Sequence, residues 1–256
     1  MHRIRKWATS AQEQVGGHQL LHMVATDASS KLGINWTATV IPRQYASSQR
    51  IASILSRFGK PQAAEYLENK LPTSRKARSG DLGEILAGQY ASRELGYRII
   101  TRLRWKDHPE MAMRGDDIIG VRISRSGPIG FLNGESKSRA HLNAAAVEDA
   151  DEALQRNNGL PSPHALAFVT DRLFENGDDD LALQIDRAQL QQGITEQQVL
   201  QLLFTFTGND PSTFLRNNTA KYSGRVKRLA VGLEVPQHQA FIESVYTKAV
   251  AIARSS

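Results

Sequence analysis

Two stretches near the middle of the chain alternate between apolar and polar residues, a pattern typical of β-strands. They are DDIIGVRIS, residues 116–124, and IGFLNGESK, residues 129–137. The turn-forming run Ser126-Gly127-Pro128 separates them. We therefore predict a β-hairpin. If it is centred on Ser126, position 123 pairs with 129, 121 with 131, 119 with 133, and 117 with 135.

This register places two carboxylates opposite each other at the open end of the hairpin. Asp117 faces Glu135, and Lys137 lies two residues further along the same face. Directly opposed side chains are about 5 Å apart, and like charges there destabilise a sheet. A divalent cation between the carboxylates removes the repulsion, and oxygen ligands suit Mg²⁺ or Mn²⁺. Lys137 would face the ligand of this cation. Together, the cation, the two carboxylates and the lysine suit the hydrolysis of a phosphodiester.

The apolar spacing elsewhere predicts an α/β fold, a mixed β-sheet flanked by helices. Residues 1–76 are interpreted as an N-terminal lobe with a helical pair, and residues 77–256 as the core with C-terminal helices. Strands are predicted in 19–24, 35–41, 97–105 and 164–174 besides the hairpin, and helices in 49–59, 61–71, 81–96, 140–156, 178–193, 194–206 and 236–253. Residues 72–80 are predicted to be a polar, basic linker.

Asp81 and Glu84 open the predicted helix 81–96 and allow two interpretations. Three residues apart, they share one face of a helix. In the first interpretation Asp81 is the N-cap and Glu84 completes a capping box. In the second, Glu84 lies beside the hairpin as a further metal ligand or as a neighbour of the ligands.

Composition narrows the class of protein. The chain has 256 residues, of which 40% are hydrophobic and 23% are charged, as in ordinary globular proteins. It has no cysteine, which excludes disulfides and thiolate zinc sites and fits a reducing cytoplasm. No signal peptide or membrane-spanning run is predicted. No GxxxxGK[ST] motif is present, so ATP hydrolysis is not expected.

A formal net charge of +6 favours nucleic acid as a partner. Arg102, Arg104 and Lys106 run towards the hairpin, and Arg139 follows its second strand. We predict that these four residues contact a DNA backbone.

Four residues, in their order and placement, resemble the PD-(D/E)xK nuclease superfamily. They are Glu84 in GDLGE, Asp117 in RGDDIIG, and Glu135 with Lys137 in GESK. Asp117 fits the family's GxD pattern better than Asp116, because apolar residues follow it. The proline that often precedes this aspartate is absent here, which leaves the metal number and ligand set open. The resemblance implies a restriction-endonuclease-like core with all four residues catalytic and the three acids holding Mg²⁺ or Mn²⁺.

Residues 49–139 also resemble the HamA nuclease subunits of Hachiman antiphage defence. The segments RIASILSRFGKPQAAEYLENKLP and RSGDLGEILAGQY carry this resemblance. It implies a cytoplasmic, magnesium-dependent deoxyribonuclease that acts with a HamB-like helicase partner. The alternative is a non-catalytic subunit that keeps the fold and binds nucleic acid or docks a partner. The complete set of four residues favours the nuclease, because a binding module has no need of opposed carboxylates.

Overall fold

The protein is built around a seven-stranded β-sheet. The structure, a computed structural model, describes residues 4–100, 103–111, 116–123 and 127–255. The strands are β1 (Thr9–Val15), β2 (His18–Val24), β3 (Arg98–Ile99), β4 (Ile118–Arg122), β5 (Gly130–Arg139), β6 (Val199–Thr207) and β7 (Lys227–Glu234). Their order across the sheet is β1-β2-β7-β6-β5-β4-β3. The pairs among β2, β7, β6 and β5 are parallel and the outer pairs are antiparallel, which confirms the predicted mixed sheet.

Helices cover both faces of this sheet. In the described part of the chain they are α1 (Asp27–Tyr45), α2 (Ser48–Phe58), α3 (Lys60–Glu68), α4 (Arg75–Arg93), α5 (Ala144–Gln155), α6 (Pro163–Glu175), α7 (Asp179–Arg187), α8 (Ser212–Lys221) and α9 (His238–Ser255). α1, α4 and α9 share an apolar core with one face of the sheet. α5 and α8 pack on the other face beside β2, β6 and β7, and α6 and α7 pack there beside β4 and β5. The predicted α/β class is confirmed.

The hairpin of β4 and β5 has the predicted register. Ile119 pairs with Asn133, Val121 with Phe131, and Ile118 with Gly134. Ile119, Val121 and Phe131 are buried together against α6 and α7, so the predicted face is also confirmed. The period of two predicted the face of each side chain, and the assumed turn centre predicted the register.

Two elements of the second half were predicted the wrong way round. Residues 194–206 were expected to be a helix but contain β6, the strand between β5 and β7. Helices cover both faces of β6, so eight of its nine residues are buried and burial does not alternate along the strand. Residues 164–174 were expected to be a strand but belong to α6, where Ser162 caps the first turn by accepting a hydrogen bond from the Ala165 N–H. The buried residues Ala165, Leu166, Val169 and Leu173 follow helical spacing. β7 was not predicted.

The first half contains two more corrections. Residues 35–41 were predicted as a strand because they are rich in β-branched residues, but they lie inside α1. Packing decides against local propensity there, since Thr37, Ala38, Ile41 and Tyr45 are buried at helical spacing. The predicted linker 72–80 is also wrong from Arg75 onwards, because α4 begins at that residue.

The helices predicted in 49–59 and 61–71 are confirmed as α2 and α3. The predicted strand 97–105 is shorter than expected, with β3 limited to Arg98–Ile99 and a 3₁₀ turn at Leu103–Trp105. β1 and β2 join the common sheet through β7, and the domain boundary at residue 76 stays a prediction. None of the described helices is long and apolar enough to cross a membrane.

Candidate functional site

Asp117, Glu135 and Lys137 line one cavity of about 290 Å³ at the open end of the hairpin. Asp117 directly precedes β4, and the other two residues lie on β5. The cavity lies between the sheet and α5, and its remaining lining residues are Asp116, Asn133, Asp149, Glu152, Ala153, Leu154 and Arg156. The three predicted site residues therefore meet in one place.

Backbone geometry fixes the two acids. The ladder between β4 and β5 ends at the pair of Ile118 and Gly134. Beyond it the Ser136 N–H donates to Asp117 Oδ2 at 3.1 Å, which turns this carboxylate towards β5. Lys137 Nζ donates to Glu135 Oε1 at 2.8 Å. The two carboxylates and the ammonium group thus form one interacting cluster.

The charge in this cavity is unbalanced. Burial, followed by the repulsion from Asp117, raises the pKa of Glu135 from 4.5 to about 7, although Lys137 acts in the opposite direction. One ammonium group faces two carboxylates, while Asp149 and Glu152 add negative charge from α5. Such a site favours either a proton or a cation. Carboxylate oxygens are the ligands that Mg²⁺ and Mn²⁺ prefer, so the residues present fit a divalent cation.

Glu84 approaches the site from the opposite face of the sheet. It lies on α4 and lines a small cavity of about 90 Å³ together with Asp117. It does not line the cavity that holds Glu135 and Lys137. α4 can lie close to β5 because Gly83 has no side chain: a Cβ there would lie 3.0 Å from the Ser136 Oγ. The structure therefore brings Glu84 next to Asp117 but across the sheet from the other two residues.

The capping-box interpretation of Asp81 and Glu84 is wrong. Ser74 caps α4, and its side chain accepts a hydrogen bond from the Ala77 N–H. Asp81 instead lies in the middle of the helix and is 3% exposed. It accepts a hydrogen bond from the Tyr45 hydroxyl at 2.7 Å.

Lys106 is the cationic partner of Asp81. Its Nζ lies 2.9 Å from Asp81 Oδ1 and also donates to the Pro109 carbonyl at 2.8 Å. The Lys106 side chain is only 4% exposed. It was predicted to contact DNA, but in this structure its ammonium group is buried in an ion pair and does not reach the surface.

The other predicted DNA contacts lie in different places. Arg104 stacks on the Trp105 ring, with its guanidinium carbon 4.8 Å from the ring centroid, and burial lowers its pKa. Arg139 is exposed and lines a groove of about 580 Å³ that also contains Arg75 and Lys76. Arg102 lies outside the described residues. The DNA contacts of these arginines stay predictions.

It was not predicted from the sequence that α5 forms one wall of the cavity. Asp149 and Glu152 lie three residues apart on one face of this helix, so their proximity to each other was readable from the sequence. That this face lies over Glu135 depends on the tertiary fold. Asp116, which fits the family pattern less well than Asp117, has a structural contact: its Oδ2 accepts a hydrogen bond from the Ser162 N–H and joins the hairpin to the start of α6.

A second group with metal-binding side chains lies elsewhere, at the end of β2 and β7. In the described part of the chain His22, Asp210 and Glu234 bring ligand atoms within 4.8 Å of one another. His22 Nε2 lies 2.9 Å from Glu234 Oε2, and His22 Nδ1 lies 2.9 Å from the Ser212 Oγ. Both ring nitrogens are already hydrogen-bonded, so the group serves to connect β2, β7 and α8.

The fold and the cavity define a class: an α/β protein whose mixed sheet presents an acidic pair and a lysine on a hairpin. The chain belongs to the HamA family, whose sequence pattern matches residues 2–249. It is similar to the Hachiman protein HamA of Bacillus cereus, with 31% identity over 186 residues. The alignment covers 72% of this chain and 65% of that relative. The predicted resemblance to HamA is confirmed, and the assignment to the PD-(D/E)xK superfamily stays a prediction.

Proposed function

We propose that this chain is a metal-dependent DNA nuclease and a subunit of a Hachiman antiphage defence system. Membership of the HamA family and the similarity to a Hachiman protein support the role in defence. The observation that carries the nuclease activity is the position of Asp117 and Glu135 in one cavity with Lys137 beside them. If the end of the hairpin had only a structural role, this excess of negative charge would destabilise it without any benefit.

A divalent cation would be held by Asp117 and Glu135, with Glu84 approaching Asp117 from the other face of the sheet. Such a cation, when bound, polarises a phosphoryl oxygen and lowers the pKa of a water molecule. Burial and the nearby Asp117 raise the pKa of Glu135 to about 7, and a bound cation would favour the ionised form of this carboxylate.

The protein's own groups position and stabilise the substrate. The Ser136 N–H holds the Asp117 carboxylate in a fixed orientation, so it need not reorganise when the substrate binds. Lys137 Nζ lies at the Glu135 oxygen and can turn to a phosphate oxygen, where it stabilises the negative charge of the transition state. α5 closes one side of the cavity.

We propose a helicase-type protein as the partner. The chain has no ATP-binding motif of its own, and an unrestrained nuclease of broad specificity would damage its host. In this account the partner restrains the nuclease, and its ATP-driven movement on DNA releases or supplies the substrate. The isolated chain is then weakly active or inactive on duplex DNA.

A cleavage assay tests the nuclease activity. The chain is purified alone and after co-expression with the product of the neighbouring gene, and plasmid DNA is incubated with Mg²⁺, Mn²⁺ or EDTA. Cutting is expected only with Mg²⁺ or Mn²⁺, and Glu135→Ala and Lys137→Ala each abolish it. Glu65→Ala and Lys31→Ala remove the same charges at exposed positions outside the cavity and serve as matched controls.

The outcome separates the candidate functions. If both site variants fold and still cut DNA, the assigned site is wrong. If the wild-type complex binds DNA but never cuts it, the chain is a non-catalytic subunit that keeps the fold and binds nucleic acid. If the isolated chain cuts duplex DNA at full rate without ATP, the proposed helicase partner is wrong and the chain is a stand-alone nuclease.

A further inference from the structure

The loop between α5 and α6 has an uncommon backbone conformation. Asn157 and Asn158 both have left-handed dihedral angles, with φ of 52° and 58°. Among the described residues they are the only non-glycine positions with positive φ. Asparagine adopts this conformation more readily than other residues with a side chain, and two such residues in succession are uncommon. Such positions cluster at functional sites.

The sheet below the loop determines this conformation. The Gln201 side chain on β6 donates through Nε2 to the Leu154 carbonyl at 2.9 Å and to the Gly159 carbonyl at 3.3 Å. Asn133 on β5 also donates to the Gly159 carbonyl, at 3.4 Å. A Cβ on Gly159 would lie 2.6 Å from Gln201 Nε2, so only glycine allows this approach.

A buried arginine fixes Gln201 in turn. Arg228 is fully buried, and its Nε and Nη2 donate to Gln201 Oε1 at 3.0 and 2.9 Å. Its Nη1 pairs with Asp151 of α5 at 2.5 Å. The Tyr222 ring covers its guanidinium at 3.5 Å. Burying a guanidinium is costly unless it is paired, and here its hydrogen bonds hold both α5 and the loop that follows it.

The loop presents Arg156 at the cavity of Asp117, Glu135 and Lys137. The Arg156 side chain is exposed. Its guanidinium forms no hydrogen bond or ion pair with any other described residue, although Glu152, one helical turn earlier, lines the same cavity. The loop therefore presents, beside the candidate site, a guanidinium that pairs with none of the described residues.

We propose that Arg156 binds a backbone phosphate of the nucleic acid, next to the phosphate that is cut. This inference rests on the proposed function. Guanidinium groups suit phosphate because their planar donors form two parallel hydrogen bonds with it. The surrounding carboxylates repel a polyanion, and a fixed positive charge at the rim offsets that repulsion. The contacts of Gln201 and Asn133 with the backbone on either side of Arg156 keep its backbone in place before the substrate arrives, so only the side chain needs ordering on binding.

The test compares Arg156→Ala and Arg156→Lys with the wild-type chain, together with its partner if the two co-purify. Arg187→Ala is the matched control, because Arg187 is exposed on α7 and does not line the cavity. Binding of fluorescein-labelled duplex and single-stranded DNA is measured in EDTA over a series of salt concentrations. Cleavage is measured with Mg²⁺ under steady-state conditions.

Arg156→Ala is expected to weaken binding of at least one of the two DNA probes about tenfold. The slope of log affinity against log salt should decrease by about one unit. KM should rise more than kcat falls. Arg156→Lys should keep the salt slope while it loses part of the affinity, because lysine retains the charge but not the paired donors.

Three outcomes are distinguishable. If the wild type cuts DNA and Arg156→Ala matches Arg187→Ala in affinity, salt slope and KM, the phosphate site at Arg156 is wrong and the nuclease proposal stands. If the wild type, with and without its partner, neither binds nor cuts DNA, the proposed function fails and the inference fails with it. Cutting by the wild type together with a loss of affinity confined to the Arg156 variants supports both.

Discussion

Two ion pairs in this protein have nearly the same geometry and different surroundings. Lys106 Nζ lies 2.9 Å from Asp81, and Lys137 Nζ lies 2.8 Å from Glu135. The side chains of the first pair are 4% and 5% exposed, and those of the second are 21% and 12% exposed. In the first pair one cation meets one anion, and Tyr45 and the Pro109 carbonyl complete the hydrogen bonds. In the second, Asp117 adds a second carboxylate and the cavity is open to a ligand.

The difference shows that a buried charge does not by itself mark a functional site. The Asp81–Lys106 pair is balanced, and it fastens the segment before the hairpin to α4. The Glu135–Lys137 pair is unbalanced, and its excess negative charge calls for a cation. The two pairs should therefore respond in opposite ways to mutation.

The largest expected effect is on cutting by the Lys137→Met variant. Its rate should fall about 100-fold or more, because a positive group that stabilises the transition state is lost. Its free energy of unfolding should fall less than that of Lys106→Met, because this cavity is open and Glu135 can take up a proton in place of the lost cation. Plasmid cleavage and urea unfolding give the two values. If Lys137→Met cuts DNA at the wild-type rate, the Glu135–Lys137 pair has no functional role.

Lys106→Met should have the reverse profile. It leaves Asp81 buried without a cation, which typically costs about 3–5 kcal/mol. Urea unfolding should show this loss, and the double variant Asp81→Leu with Lys106→Met should recover much of it. If Lys106→Met is as stable as the wild type, the pair is not structural and the contrast between the two pairs fails.

The pH dependence of stability should distinguish Glu135. Its pKa in the folded protein is about 7, above the ordinary 4.5. The folded state therefore binds this proton more tightly than the unfolded state does, and stability falls as the pH rises from about 4.5 to 7. The loss is on the order of 3 kcal/mol. It should be absent in Glu135→Gln and reduced by Mg²⁺. If the stability of the wild type and that of Glu135→Gln depend on pH in the same way, the raised pKa of Glu135 is wrong.

The smallest effect is expected at the α5 wall. Asp149→Asn and Glu152→Gln should each raise the Mg²⁺ concentration for half-maximal cutting about two- to threefold, as expected for exposed charges near a cation. The rate at saturating Mg²⁺ should stay unchanged. Glu148→Gln removes an exposed charge on the same helix outside the cavity and is the control. Equal shifts in all three variants would indicate a general charge effect.

The hairpin was predictable because its information is local. The alternation of residues fixed which side chains share a face, and the register brought Asp117 to Glu135 and Lys137 as expected. β6 and α6 were not predictable in this way. β6 is buried on both faces and shows no alternation, whereas α6 has apolar residues that also suit a strand.

The rest of the site depends on contacts between distant parts of the chain. Lys106 looked like a surface cation in the sequence, and only the approach of its segment to α4 shows that Asp81 buries it. Arg156 looked like the end of a helix. Its position at the cavity depends on Gln201 and Arg228, which are distant from it in the sequence.

The most direct test of the central claim is to locate Mn²⁺ by anomalous diffraction in crystals of the protein. We expect a peak at ligand distance from both the Asp117 and Glu135 carboxylates, and its loss in Glu135→Gln. A peak at His22, Asp210 and Glu234 with none at the hairpin, or no peak at the hairpin at a concentration that supports cutting, would contradict the account.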